Sequence, residues 1–483
     1  MPRFLLILAL PGCLGPWQSS WDLPTDGDTD DTDLPPDTDI PPDTDIPPDT
    51  DSDTDTDTVT TDTDLRIELV TAPITADTVW DAGAVWVLAA DNILFVEGSA
   101  VLTIEAGTTV MGENGSALVI TRDARIDARG TADKPIVLTS AAAVGSRRPG
   151  DWGGLVMLGN ASVNKSLPRA IEGIDVEDVR GQFGGADDSW NCGALDYVRV
   201  EFAGFEVFSG NELNGLTLGA CGANTFVRHV QVHRGLDDGI ELFGGTADLK
   251  WVVVTGAGDD GFDWDEGWRG RLQYAVIQQY PFDPAASNNG DEGMEGDGNF
   301  LATPLSSPTI YNASVFGSGD SFSAQYGMHL KDGTAGIIAN TVVAFQTQRA
   351  VDVEHLETAD QARSGGLSLT SSAFWSVGGA GDVWALDATD NDVGFDELQW
   401  LDSGDNLLGV DPLLADRPAP VVAPNQWIVD PNLLWVPSAG SPLSSGSPPP
   451  ADGFFDAAAS FVGAIRPASS VTWWDGWTSF PEN

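Results

Sequence analysis

Carboxylates recur at fixed places in a Gly-centred frame. Asp237-Asp238-Gly239-Ile240-Glu241-Leu242 is followed 22 residues later by Asp259-Asp260-Gly261-Phe262-Asp263-Trp264, and 32 after that by Asp291-Glu292-Gly293-Met294-Glu295. If each frame is a strand, Ile240 and Leu242 point inward, and Glu241 points out with Asp237 on the same side. Stacked frames then place Asp237, Asp259 and Asp291 in one column and Glu241, Asp263 and Glu295 in a second. Carboxylates ~5 Å apart at an effective dielectric of ~20 repel by roughly 3 kcal/mol. Three choices relieve such a file: a bound cation, raised pKa values, or nearby Arg269 and Arg271. Calcium suits hard oxygen donors in flexible geometry, so the six acids form a candidate calcium site. Asp238 and Asp260 share parity with the inward Ile240 and Phe262, so they are expected at the corner, bonding turn amides. Trp264 belongs to the inward column. Trp268, in the loop Glu266-Gly267-Trp268, is the candidate for stacking on a sugar, with Arg269 and Arg271 beside it as ligand-binding residues.

The same frame runs upstream to Leu213–Leu218 and downstream to Gln325–Leu330 and Gln348–Val353. Six segments spaced by 22 to 34 residues read as one coil per repeat of a stacked solenoid. Each coil carries a second, Val-rich strand, as in Val227–Val232, Lys250–Val254, Leu272–Ile277 and Asn340–Phe345. Short strands bounded by Gly turns also precede the ladder, at Val85–Leu88, Val101–Glu105, Ala117–Ile120, Arg125–Ala128 and Ile136–Thr139. The expected fold is therefore all-β, a parallel β-helix. Cys192-Gly193-Ala194 and Cys221-Gly222-Ala223 precede matched strands at an offset of 29. Neighbouring coils lie ~4.8 Å apart, and a disulfide needs Cα atoms ~4.4–6.8 Å apart. A Cys192–Cys221 bridge between coils is expected, with two stacked buried thiols as the alternative.

Among 483 residues, 73 are acidic and 22 are Lys or Arg, a formal charge of -51. That balance excludes a nucleic-acid partner or anionic lipid bound through a basic face. Much of the acidity lies in residues 14–64, where Asp, Thr and Pro repeat as Leu34-Pro35-Pro36-Asp37-Thr38-Asp39. Such a segment cannot repay the entropy of ordering, so it reads as a disordered acidic tether. About forty residues at ~3.1 Å each reach roughly 100 Å. Residues 1–13 combine an apolar run, Phe4–Leu10, with Leu10-Pro11-Gly12-Cys13. They resemble a bacterial lipoprotein signal whose Cys13 becomes the lipidated first residue; an ordinary secretory signal is the alternative. The β-helix is expected over 65–455, and an aromatic C-terminal cap over 456–483, where Trp473-Trp474-Asp475-Gly476-Trp477-Thr478 closes the chain.

Gly130-Thr131-Ala132-Asp133-Lys134-Pro135-Ile136, Gly150-Asp151-Trp152-Gly153-Gly154, Asn211–Leu218, Asp237–Glu241 and the Trp473–Thr478 ending resemble a family of exported bacterial lipoproteins. The resemblance implies a single-stranded right-handed parallel β-helix of the pectin-lyase type, and a family mostly without established activity. Pectin-lyase-like helices include calcium-dependent polysaccharide lyases and carboxylate-based glycoside hydrolases. Leu236-Asp237-Asp238-Gly239-Ile240 looks like the double-Asp motif of polygalacturonases. Their companion motifs are absent, since Tyr326-Gly327-Met328-His329 only loosely resembles Gly-His-Gly and no Arg-Ile-Lys segment follows. A lyase base would have to come from Lys250, Arg269, Arg271 or Lys331. The sequence thus favours a monomeric, non-enzymatic, calcium-dependent glycan-binding or adhesion module on a Gram-negative outer membrane or cell surface. Its partner would be an extracellular glycan or a cell-surface molecule, and its membrane contact the lipid anchor alone. A lyase or glycoside hydrolase, and a structural envelope protein, are the alternatives.

Overall fold

Short apolar runs between Gly-containing turns become parallel strands along the chain. The structure, a computed structural model, describes residues 65–208, 211–281, 290–319, 325–377, 391–414 and 435–483, leaving aside the side chains of 206–212. The signal at 1–13 with Cys13, the tether at 14–64 and a Pro-rich stretch at 417–424 lie outside these residues. Among the described residues, no helix is long and apolar enough to cross a membrane.

Among the described residues, one sheet has nine strands: β1 (Ile93–Val96), β2 (Ala117–Ile120), β3 (Leu155–Leu158), β4 (Leu216–Gly219), β5 (Ile240–Phe243), β6 (Phe262–Asp265), β7 (Glu292–Gly296), β8 (Tyr326–Leu330) and β9 (Arg349–Val353). They pair in chain order, every pair parallel. Leu216, Ile240, Phe262, Met294, Met328 and Val351 stand opposite one another, the register expected from the repeating frame. All six are buried in the apolar centre of the solenoid. The frame's glycines permit this stacking. A Cβ on Gly239 would lie 2.3 Å from Val254 and 2.6 Å from the Gly261 carbonyl.

The second sheet has 17 strands among the described residues. Here Gly193–Glu201 pairs along its first half with Arg125–Arg129 and along its second with Ile136–Ser140. One long strand thus replaces two short ones and the turn between them. Each long strand bends at a non-Gly residue with positive φ: Tyr197 (52°), His229 (47°), Trp251 (61°), Tyr274 (64°) and Asn312 (58°). Such conformations cost of order 1–3 kcal/mol each. Stacking down the column offsets this, with ring centroids 4.1 Å apart for Tyr197–His229 and 4.5 Å for His229–Trp251. Asn, which tolerates this conformation, serves at position 312. Its side-chain amide donates to the Ala459 and Phe461 carbonyls, at 3.1 and 2.7 Å.

Those last contacts correct the expected cap. The C-terminal segment does not close the solenoid's end but runs back along the flank of the long sheet. Asn340 donates to the Ser447 carbonyl at 2.7 Å, Lys250 to Phe454 at 2.7 Å and Gln231 to Ser479 at 2.6 Å. Trp435, Trp474 and Trp477 are buried against Val253, Val276 and Phe316. The outward apolar residues of the flank, rather than open strand edges, attract these aromatics. The last coils are instead packed by a short helix, α1 (Glu397–Ser403), through Leu401.

The Cys192–Cys221 disulfide is present, with a Cα separation of 5.7 Å. The register that suggested it is off by three. Val198 pairs with Val230, an offset of 32 rather than 29, so the cysteines are not strictly equivalent. Cys221 lies in the turn after β4, and the bridge ties that turn to the start of the Gly193–Glu201 strand.

His233 fastens the end of the flanking segment. Its Nε2 contacts the Pro481 carbonyl at 2.8 Å and its Nδ1 the Thr255 hydroxyl at 2.7 Å. Burial, and then the Arg234 charge, lower its pKa from 6.5 to about 3. A depressed imidazole pKa means that protonation favours the unfolded chain. Its contribution is complete above pH 6.5 and is lost as pH falls toward 3. Hydrogen exchange in 474–481, corrected for intrinsic rates, should therefore accelerate from pH 7 to pH 4. The His233→Gln variant should lack this step; an identical pH response in the variant would contradict the assignment.

Candidate metal centre

The parallel register places Thr217, Glu241, Asp263, Glu295, His329 and Asp352 in one file across β4 to β9. These side chains lie on the face opposite the apolar centre, yet Glu241 is only 7% exposed and Asp263 5%. The chain from Lys165 to Phe183 covers part of this face. Lys165 pairs with Asp265 at 2.5 Å, Arg169 pairs with Glu266, and Phe183 packs on Phe243.

A second file runs along the corner before the strands. Asn214 Oδ1 accepts from the Asp238 amide at 3.1 Å, Asp238 Oδ1 from Asp260 at 2.9 Å, and Asp260 Oδ1 from Glu292 at 3.1 Å. Asp238 and Asp260 thus bond turn amides as expected, but they also join the acidic cluster. The reason is a break in strand parity. Gly239 faces the interior beside Val254, as does Ile240 after it, so Asp238 falls on the outer side with Glu241.

Oxygens of Asp238, Glu241 and Asp263 lie within 4.8 Å of one another, as do those of Asp260, Asp263 and Glu295. Asp237, Asp259 and Asp291 form the neighbouring fringe, in the groups Asp237–Asp238–Asp259 and Asp259–Asp291–Glu292. Among the described residues, no Lys, Arg or His forms an ion pair with Asp238, Glu241, Asp260 or Asp263. The Asn214 amide donates to Glu241 Oε2. Asp263 Oδ1 is buried with no hydrogen-bond donor. Burial, followed by the charges of neighbouring carboxylates, pushes all four well above the usual carboxylate range. For the same reasons, in the same order, Asp259 rises to about 6.

The downstream end of the file supplies its own cations. His329 Nδ1 lies 3.3 Å from Glu292 and 3.2 Å from Glu295, and its Nε2 lies 3.1 Å from Glu354. Burial alone would lower the His329 pKa, but hydrogen bonds to Glu292 and Glu295 outweigh it and raise the value to about 10. Lys331 Nζ donates to Glu295 at 2.8 Å. Burial would raise the Glu295 pKa, but His329 and Lys331 hold it below the usual value.

The structure takes three residues out of the site. Trp268 is fully buried in the solenoid centre, its Nε1 donating to the Ala247 carbonyl at 3.0 Å, and offers no face to a sugar. Arg269 pairs with Asp188 at 2.5 Å, and Arg271, on the long sheet, pairs with Asp248 and with Asp452 at 2.7 Å. Neither neutralises the acidic file. His329 and Lys331 do so at its end, and their positions were legible: they stand one and three residues after Met328 in the repeating frame, where Glu295 and Asp297 follow Met294. Of the basic residues considered for a lyase, Lys250 is also elsewhere, donating to Phe454.

Beside the file, Pro168, Ile171, Ile174, Phe183 and Phe243 line a cavity of about 310 Å³. Its wall includes Glu172, whose charge helps raise Glu241. A family model described as a pectate-lyase-like beta helix domain matches residues 72–394. No curated protein and no solved structure matches the chain.

Proposed function

Because the chain belongs to the pectate-lyase-like β-helix domain family, we propose that it is a calcium-dependent glycan-binding module. One observation carries this reading: Asp238, Glu241, Asp260 and Asp263 are buried together, no Lys, Arg or His among the described residues forms an ion pair with them, and Asp263 Oδ1 has no donor. A hard divalent cation supplies what those oxygens lack. An acidic glycan would be repelled by this face alone, whereas calcium can bridge its carboxylates to those of the protein. The 310 Å³ cavity beside Glu241 offers apolar contact next to the charged file. In this reading the module is a monomer held at the outer membrane or cell surface of a Gram-negative bacterium by a lipid on Cys13 and a tether at 14–64.

Binding is favoured over polysaccharide cleavage because the basic groups at the file are already committed. Carboxylates occupy both ring nitrogens of His329, and Glu295 holds Lys331. Neither is free to abstract a proton from a sugar carbon. The test is a glycan array probed with the full chain in calcium and again after chelation. Retention of uronate-containing glycans only in calcium is expected. Retention unaffected by chelator would overturn the calcium dependence, and no retention at all would favour an envelope structural role. Unsaturated or new reducing ends formed from the bound glycan would establish a lyase or hydrolase instead.

A further inference from the structure

The two triads of oxygens are the same arrangement moved by one coil. Asp238, Glu241 and Asp263 become Asp260, Asp263 and Glu295 when each residue is replaced by its partner on the next strand. A further step gives Glu292, Glu295 and His329, which also cluster within 4.8 Å. At this third position the protein provides the cation itself, the His329 ring lying 3.3 and 3.2 Å from the two carboxylates. One step the other way, Asn214 and Thr217 replace the acids, and the Asn214 amide closes the file by donating to Glu241. Two equivalent positions therefore remain between an amide at one end and an imidazole at the other.

We infer that the file binds two divalent cations, bridged by the Asp263 carboxylate. This rests on the calcium reading above and adds its stoichiometry and its bridging ligand. The first cation takes Asp238, Glu241 and one oxygen of Asp263; the second takes Asp260, Glu295 and the other. Calcium–oxygen bonds of ~2.3–2.6 Å allow ligand oxygens up to roughly 5 Å apart, and in each triad they lie within 4.8 Å of one another. Successive positions are one strand spacing apart, ~4.8 Å, within reach of a bridging carboxylate. Charge balance agrees. Ionised, Asp238, Glu241, Asp260 and Asp263 present four negative charges with which no Lys, Arg or His among the described residues forms an ion pair, and two divalent cations supply four positive ones. A single ion would leave two of these carboxyls buried without a cation, charged or protonated. Asp263 belongs to both triads, and it is the residue whose buried Oδ1 lacks a donor.

Isothermal titration of the chelator-stripped full chain with calcium measures the number directly. Two ions per chain are expected for the native protein, and one each for Glu241→Gln and Glu295→Gln. Asp263→Asn should weaken both sites at least tenfold, since it removes a ligand from each. One ion in the native protein would overturn the bridged pair while leaving the calcium reading intact. No binding would overturn both. Loss of both ions in Glu241→Gln, with circular dichroism unchanged, would mean a single shared site and would also overturn the pair.

Discussion

Replacing Lys331 with Met in chelated protein at pH 7 is expected to lower the unfolding free energy by roughly 3 kcal/mol, the low end for breaking a buried ion pair because the Lys331 side chain keeps 24% exposure. The cost arises from what remains. Lys331 donates to Glu295 at 2.8 Å and lies 3.9 Å from Asp297. Asp297 Oδ1 is already buried without a donor, and burial raises its pKa to about 7 even with Lys331 opposing the shift. Without the ammonium, Glu295 keeps only His329 as a cationic partner, and that ring is shared with Glu292 and Glu354. Denaturant unfolding of the two proteins gives the difference. A change below about 1 kcal/mol would show the pair to behave as a solvated surface bridge.

The opposite sign is expected two and three strands upstream. Glu241→Gln/Asp263→Asn removes two buried carboxylates that form no ion pair among the described residues, and in chelator it should stabilise the fold by about 1–3 kcal/mol. The new amides can donate to the acids left behind, including Asp238 and Glu295. The effect should grow with pH. Groups whose folded pKa is raised favour folding when protonated, so the chelated native protein loses stability as pH rises above the ordinary carboxylate range. That loss continues through about 6 for Asp259 and about 7 for Asp297. The double variant should show a shallower decline over this window, because two of the mutually repelling charges are gone.

These opposite effects reflect what could and could not be read from the chain. The Gly239, Gly261 and Gly293 frame fixed strand register correctly because a coil has little freedom where only glycine fits between Val254 and the next carbonyl. The file Glu241, Asp263, Glu295 follows from that register. Asp238 and Asp260 were harder: strict alternation assigns them inward, and only the turn at Gly239 moves them outside. Trp268 sits in a polar-looking loop, Glu266-Gly267-Trp268, whose fold back into the centre depends on contacts with Phe262 and Trp264. Arg271 stands 8 residues after Asp263 in sequence, but the coil turns between them and carries it to the other sheet. The flanking path of the C-terminus was illegible for a similar reason. Its aromatics signal burial, while their partners, Val253, Val276 and Phe316, lie far away in sequence.

Thermal melting of the full chain at pH 7, in calcium and in chelator, tests the cation site most directly. A ligand at 100 times its Kd stabilises by ~2.7 kcal/mol, so calcium should raise the Tm of the native protein clearly. Glu241→Gln/Asp263→Asn should melt higher than native in chelator and gain nothing from calcium. A native protein indifferent to calcium, or a variant that gains as much as the native, would contradict a cation held by Glu241 and Asp263.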